Sequence, residues 1–219
     1  MNARQVPGFF GKIPARGDFL SRRLPAEIAA AWEAWLQDLT VAVRDSGQPG
    51  WQDAWLTAPL WHFTLGAALV PPYGAAGVLV ASADRVGRLY PFTVIGAAAP
   101  GQGDGHWPAA AESLALAALD DAYDPATLDA ALLALGPPPP QHGPNRPSGL
   151  WPVMLDGDWP AADDPFANGG PGPNQSEWWC RGSDRVAPVR LLCTGLPGRR
   201  TAEAMILGGE GVLVPDVLA

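Results

Sequence analysis

Three short apolar runs, at 61–70, 77–82 and 89–96, follow one another with connections too short to hold a crossover helix. Parallel neighbours need a dozen or more residues to return, whereas antiparallel neighbours need only a turn. The spacing therefore predicts a sheet that is largely antiparallel. In the first run Trp61, Phe63 and Leu65 alternate with His62, Thr64 and Gly66, the period of a strand with one face buried. The second run, Gly77-Val78-Leu79-Val80-Ala81, and the third, Phe92-Thr93-Val94-Ile95, flank Ser82-Ala83-Asp84-Arg85-Val86-Gly87-Arg88-Leu89-Tyr90-Pro91. That polar segment with one glycine reads as the reversal of a hairpin, and Pro91 inside its second arm predicts an edge strand or a bulge. Asp84, Arg85 and Arg88 fall at the mouth of the sheet, where rigid flanks hold side chains that can reach a partner.

Around this hairpin the pattern alternates between helix and strand. Pro25 suits a first helical turn, and Ile28, Trp32, Trp35, Leu36, Leu39 and Val43 recur at helical spacing, predicting an amphipathic helix over 25–44 that ends at Gly47 to Gly50. An Ala-rich run with Leu114, Leu116 and Leu119 predicts a helix over 108–119. Asp124-Pro125 opens another as N-cap and first residue, with Leu128, Leu132 and Leu135 in one stripe. Short strands are expected at 150–155, 177–180 and 189–194, and a closing helix at 201–207. Helices should cover both faces of the sheet, which makes the fold class α/β.

Length allows one large domain or two small ones, and we read 1–219 as one. Gly and Pro account for 26 and 25 of the 219 residues without periodicity, so most mark turns. They concentrate in two stretches expected to be irregular, at about 136–149 and 156–175. Proline density in the first removes backbone donors, as in a surface connection or a ligand for a proline-reading domain. The N-terminal residues contain no apolar h-region and no window holds about 18 uninterrupted apolar residues, so a cytoplasmic protein without direct membrane insertion is expected. Cys180 and Cys193 are the only cysteines and make no disulfide framework; both are read as reduced and structural, the alternative being a pair on adjacent strands.

The net charge of −8 is unevenly placed: residues 1–100 carry 8 basic and 7 acidic groups, 101–180 carry 1 and 11, and 181–219 carry 5 and 4. Nucleic acid and anionic membranes both call for a basic footprint, so neither is an expected partner. The acidic middle serves either solubility or a protein with a basic face.

Catalytic equipment is sparse. His62, His106 and His142 are scattered, without H-E-x-x-H or C-x-x-C spacing to gather a metal. Ser82 and Ser113 lack a G-x-S-x-G context. Gly8-Phe9-Phe10-Gly11-Lys12-Ile13 has G-x-x-G-K spacing with no Ser or Thr after it, so the phosphate cradle and the magnesium ligand are both missing. Gly101-Gln102-Gly103-Asp104-Gly105 does not have dinucleotide spacing and reads as a turn. No cofactor is expected, and the chain reads as a binding module rather than an enzyme. Most of the ten tryptophans fit core positions, Trp178 and Trp179 pointing to opposite sides of a strand; Trp51, Trp55 and Trp107 are expected to be the more exposed.

Near the N-terminus, Pro7-Gly8-Phe9-Phe10-Gly11-Lys12-Ile13-Pro14-Ala15-Arg16-Gly17-Asp18-Phe19 interleaves glycines and aromatics with a compact charged set, and we expect it to neighbour the hairpin. This motif, with the later Ser82-Ala83-Asp84-Arg85-Val86-Gly87-Arg88-Leu89-Tyr90-Pro91, resembles TagF (ImpM), accessory proteins of bacterial type VI secretion systems. The likeness covers roughly residues 7–95 and is looser beyond, through Trp178-Trp179 and Gly195-Leu196-Pro197. It implies a single-domain α-β-α sandwich. It also implies a post-translational, negative regulator that binds the forkhead-associated (FHA) scaffold protein of the secretion system.

The candidate residues are Lys12, Arg16, Asp18, Asp84, Arg85 and Arg88. One reading is a partly buried ion-pair network that fixes hairpin to N-terminal segment, Asp18 with Arg85 or Arg88 and Asp84 with Arg16 or Lys12. Another is a docking surface, the same charges ringed by Phe9, Phe10, Phe19 and Tyr90. The two readings are compatible. A hydrolase or nucleotide-binding enzyme using Asp18, Asp84 and Arg85, or a structural part of the secretion baseplate, remain as alternatives.

Overall fold

A computed structural model describes residues 6–98, 106–139, 153–156 and 171–209, with 153–156 as backbone only. Its elements in chain order are β1 (Gly8–Gly11), β2 (Leu20–Arg22), α1 (Ala29–Arg44), α2 (Trp51–Leu56), β3 (Trp61–Leu65), β4 (Ala75–Val80) and β5 (Phe92–Ala97), then α3 (Trp107–Ala117), α4 (Pro125–Leu135), β6 (Val153–Asp156), β7 (Gln175–Cys180), β8 (Val189–Thr194) and α5 (Arg199–Leu207). The strands form one sheet in the order β2-β1-β5-β4-β3-β7-β8-β6. Every pairing is antiparallel except β6 on β8, so the sheet is mixed and largely antiparallel, as the short connections require.

Alternation along the strands splits the interior into two cores. Phe10, Trp61, Phe63, Leu65, Ile95, Trp178 and Leu191 pack with Trp32, Trp35, Leu36, Trp55 and Met205 from α1, α2 and α5. On the opposite face Phe9, Val78, Val80, Phe92 and Val94 pack with Trp107, Ala111, Ala115, Leu128 and Leu132 from α3 and α4. The result is an α-β-α sandwich. Trp178 lies at the centre of the first core, its ring centroid 4.8 Å from Phe63, 5.1 Å from Trp35 and 6.0 Å from Trp32.

Several expectations shift. The first helix begins at Ala29, because 26–28 form a turn in which the Ile28 N–H donates to the Pro25 carbonyl at 3.1 Å. After Gly50 adopts a left-handed φ of 75° the chain makes the extra short helix α2. β5 is an interior strand between β1 and β4, not an edge. Pro91 is tolerated because it stops one residue short of the ladder and offers only its carbonyl, which accepts from the Lys12 N–H at 3.3 Å. Both faces of β3 are buried, since α3 covers the side that carries His62. Trp55 and Trp107 are buried, not exposed; their indole N–H groups donate to the Ser82 carbonyl at 2.9 Å and the Gly136 carbonyl at 3.0 Å, which removes the cost of burying a polar tip. Trp178 and Trp179 do face opposite sides, the first in the core and the second stacked on His62. Cys180 and Cys193 are both buried, and burial pushes the Cys180 thiol up to about 11. The irregular stretches expected at about 136–149 and 156–175, with His142, lie mostly outside the described residues.

Candidate functional site at the Asp84 turn

The hairpin and the N-terminal segment are neighbours, as expected. β1 pairs with β5 in the register Gly8↔Ile95 to Gly11↔Phe92, bringing the loop that follows β1 against the reversal that precedes β5. Gly11, at φ 129°, is required there, because a Cβ would collide with the backbone of Pro91. Two further bonds join the loops: the Arg85 N–H donates to the Arg16 carbonyl at 2.9 Å, and Arg88 Nη2 donates to the Gly17 carbonyl at 2.6 Å.

Asp84 is the centre of this junction, its side chain fully buried. Oδ1 accepts from the backbone N–H groups of Val86 at 3.0 Å and Arg88 at 2.9 Å, closing the turn by the Asx mechanism. Oδ2 accepts from Lys12 Nζ at 3.0 Å and Arg88 Nε at 2.6 Å. A carboxylate offers about four acceptor sites, and all four are occupied. Burial by itself would raise the Asp84 pKa, but the bonds from Arg88, Lys12 and Val86 outweigh it and hold the carboxyl well below its ordinary range. A carboxylate whose acceptor sites are all taken by donors of its own loop and of Lys12 has no lone pair left to offer a substrate proton. It serves as a brace.

What the brace presents outward is different in kind. Arg85, Val86, Gly87 and Arg88 are exposed, Val86 by 69% and the Arg88 side chain by 62%. Phe19 is 53% exposed; its ring lies 4.8 Å from the Lys12 ammonium and 4.8 Å, edge-on, from Tyr90. Lys12 is thus buried between Asp84 and an aromatic face. The pairing differs from expectation at two residues. Asp18 is exposed and forms no ion pair among the described residues, because Arg88 turns back to Asp84 within its own loop. Arg16 reaches Asp124 on the rim of α4 at 3.6 Å instead of Asp84.

Sequence reasoning passed over other polar contacts on the sheet. His62 Nε2 lies 2.8 Å from Glu112 Oε2, Arg190 is paired with Glu177, and Arg23 is paired with Asp129 at 2.7 Å. The first and third join elements far apart in the chain, and the second crosses the β7–β8 pair, so no local spacing announces them. Among the described residues no group of three His, Cys, Asp or Glu side chains could hold a metal ion, and no helix is long and apolar enough to cross a membrane.

No curated protein matches the sequence. The crystal structure of PA0076 from Pseudomonas aeruginosa PAO1 superposes with a TM-score of 0.71 at 31% identity, over 95% of this chain and 97% of that one. The family model of the TagF N-terminal domain, type VI secretion system-associated, matches residues 8–135, a span that holds both the Lys12 to Phe19 loop and the Asp84 turn. The chain belongs to the TagF family of type VI secretion system-associated proteins.

Proposed function

We propose that this chain is a cytoplasmic, post-translational, negative regulator of type VI secretion assembly that acts by stoichiometric binding to the FHA-domain scaffold protein, without turnover. The observation that carries the reading is the division of labour at the Asp84 turn. Its carboxylate is saturated inside, while Arg85, Val86, Arg88 and Phe19 stand outside on a rigid support. Aromatic, apolar and arginine side chains held in place are the composition of an interface centre. Rigidity lowers the ordering cost of docking.

Size-exclusion co-elution with the FHA scaffold tests this. Wild type should co-elute. Arg85→Ala and Val86→Asp should lose co-elution while keeping the wild-type melting temperature, since both side chains are exposed. Absence of wild-type co-elution at micromolar concentration sinks the partner; co-elution undiminished in both variants sinks the surface.

A further inference from the structure

On the α3 side of the sheet a cleft of about 70 Å³ is lined by Pro59, Leu60, His62, Glu112, Arg181 and Gly182. That is several times the roughly 10–15 Å³ that admits one water, room for a group of a few heavy atoms. The charge arrangement inside is lopsided. Glu112 Oε2 accepts the His62 Nε2 proton at 2.8 Å, so in the neutral ring Nδ1 carries a lone pair, and that atom is buried without a hydrogen-bond partner. Stacking on Trp179, at 5.3 Å and 9°, fixes the ring in this pose. Glu112 Oε1 has only a 3.5 Å contact to Arg181, whose side chain is 78% exposed, and an exposed pair of that length contributes little. Both under-used atoms are acceptors, one of them on a carboxylate, and Pro59 and Leu60 supply apolar walls.

We propose that this cleft binds a monoalkyl guanidinium group, which displaces Arg181 and donates to Glu112. A planar group with several donors matches a carboxylate edge, and Arg181 shows that a guanidinium can approach. An anion is disfavoured because the Glu112 carboxylate sits in the cleft wall. The site is separate from the docking surface of the Asp84 turn, and its failure would leave that reading intact.

Titration of the ¹⁵N-labelled protein with methylguanidinium, read at the His62 ring nitrogens, tests the assignment. The free protein should show the Nε2–H tautomer, and addition should give a saturable shift. Arg181→Ala should tighten binding several-fold by removing the competitor. Glu112→Gln should lose binding at least tenfold while its melting temperature stays within a few degrees of wild type. An Nδ1–H tautomer, no saturable shift at tens of millimolar, or unchanged binding in Glu112→Gln would overturn the proposal. Should Glu112→Gln fail to fold, binding to Arg181→Ala no tighter than to wild type overturns it as well. A parallel titration with Nα-acetyl-arginine N-methylamide distinguishes the sources: binding at least as tight supports a chain-borne arginine, and exclusion of this probe alone supports a free small cation.

Discussion

Asp84 concentrates more of this protein's chemistry than any other described side chain. Asp84→Ala removes the partner of a buried Lys12 ammonium and two turn-closing acceptors together. Breaking a buried pair by deleting one member costs about 3–5 kcal/mol, and denaturant melts of the variant should show a loss of that size. A loss below about 1 kcal/mol would mean that the turn does not depend on its brace. The pH dependence follows from the same contacts. The Asp84 pKa is lower folded than unfolded, so the unfolded chain binds more protons as acid is added. Its stabilisation is complete above the ordinary aspartate range of about 3.9 and is lost as pH falls below it. Between pH 5 and 2 the stability of wild type should therefore fall more steeply than that of Asp84→Asn, and equal slopes would contradict the assignment.

At the scale of elements, α4 shows how local chemistry sets a boundary. Asp124 takes the N-cap conformation and accepts from the Ala126 N–H at 3.1 Å, with Pro125 in the first turn. Asp124→Ala should lower stability by about 1 kcal/mol, measured by thermal or denaturant melts, with little help from the exposed 3.6 Å pair to Arg16. α1 has no side-chain cap; it depends on the tryptophan and leucine stripe that its spacing announced. The interior strands illustrate the opposite case. Gly77 in β4 leaves the room that the Phe63 ring and the Val94 carbonyl occupy, a requirement set by neighbours on β3 and β5 and invisible in the residues beside it.

For the whole molecule the decisive feature is one sheet with a separate core on each face. Trp178 joins α1 to β3 and β7 through contacts with Trp32, Trp35 and Phe63. Its replacement by alanine should cost about 3–5 kcal/mol in equilibrium unfolding, and a value near 1 would indicate that the core collapses around the gap. An exposed position such as Val86 should change stability by no more than about 0.5 kcal/mol on replacement by serine. The contrast separates residues that make the fold from residues the fold displays.

Much of this was legible in the sequence, for identifiable reasons. Short connections between 61 and 96 dictate antiparallel neighbours, helical spacing marks α1, and Asp124-Pro125 marks α4, because each signal lies within one stretch of chain. The six candidate residues also come from two compact motifs, and the structure brings Lys12, Asp84 and Arg88 into contact. The tertiary structure decided the rest. That Asp84 selects Lys12 rather than Arg16, that Asp18 is left outside, that β5 is interior despite Pro91, and that His62 faces Glu112 all depend on which elements pack together. Ion pairs form between groups that packing brings within a few ångströms, and the sequence distance between them, 72 residues for Lys12 and Asp84, carries no record of that approach.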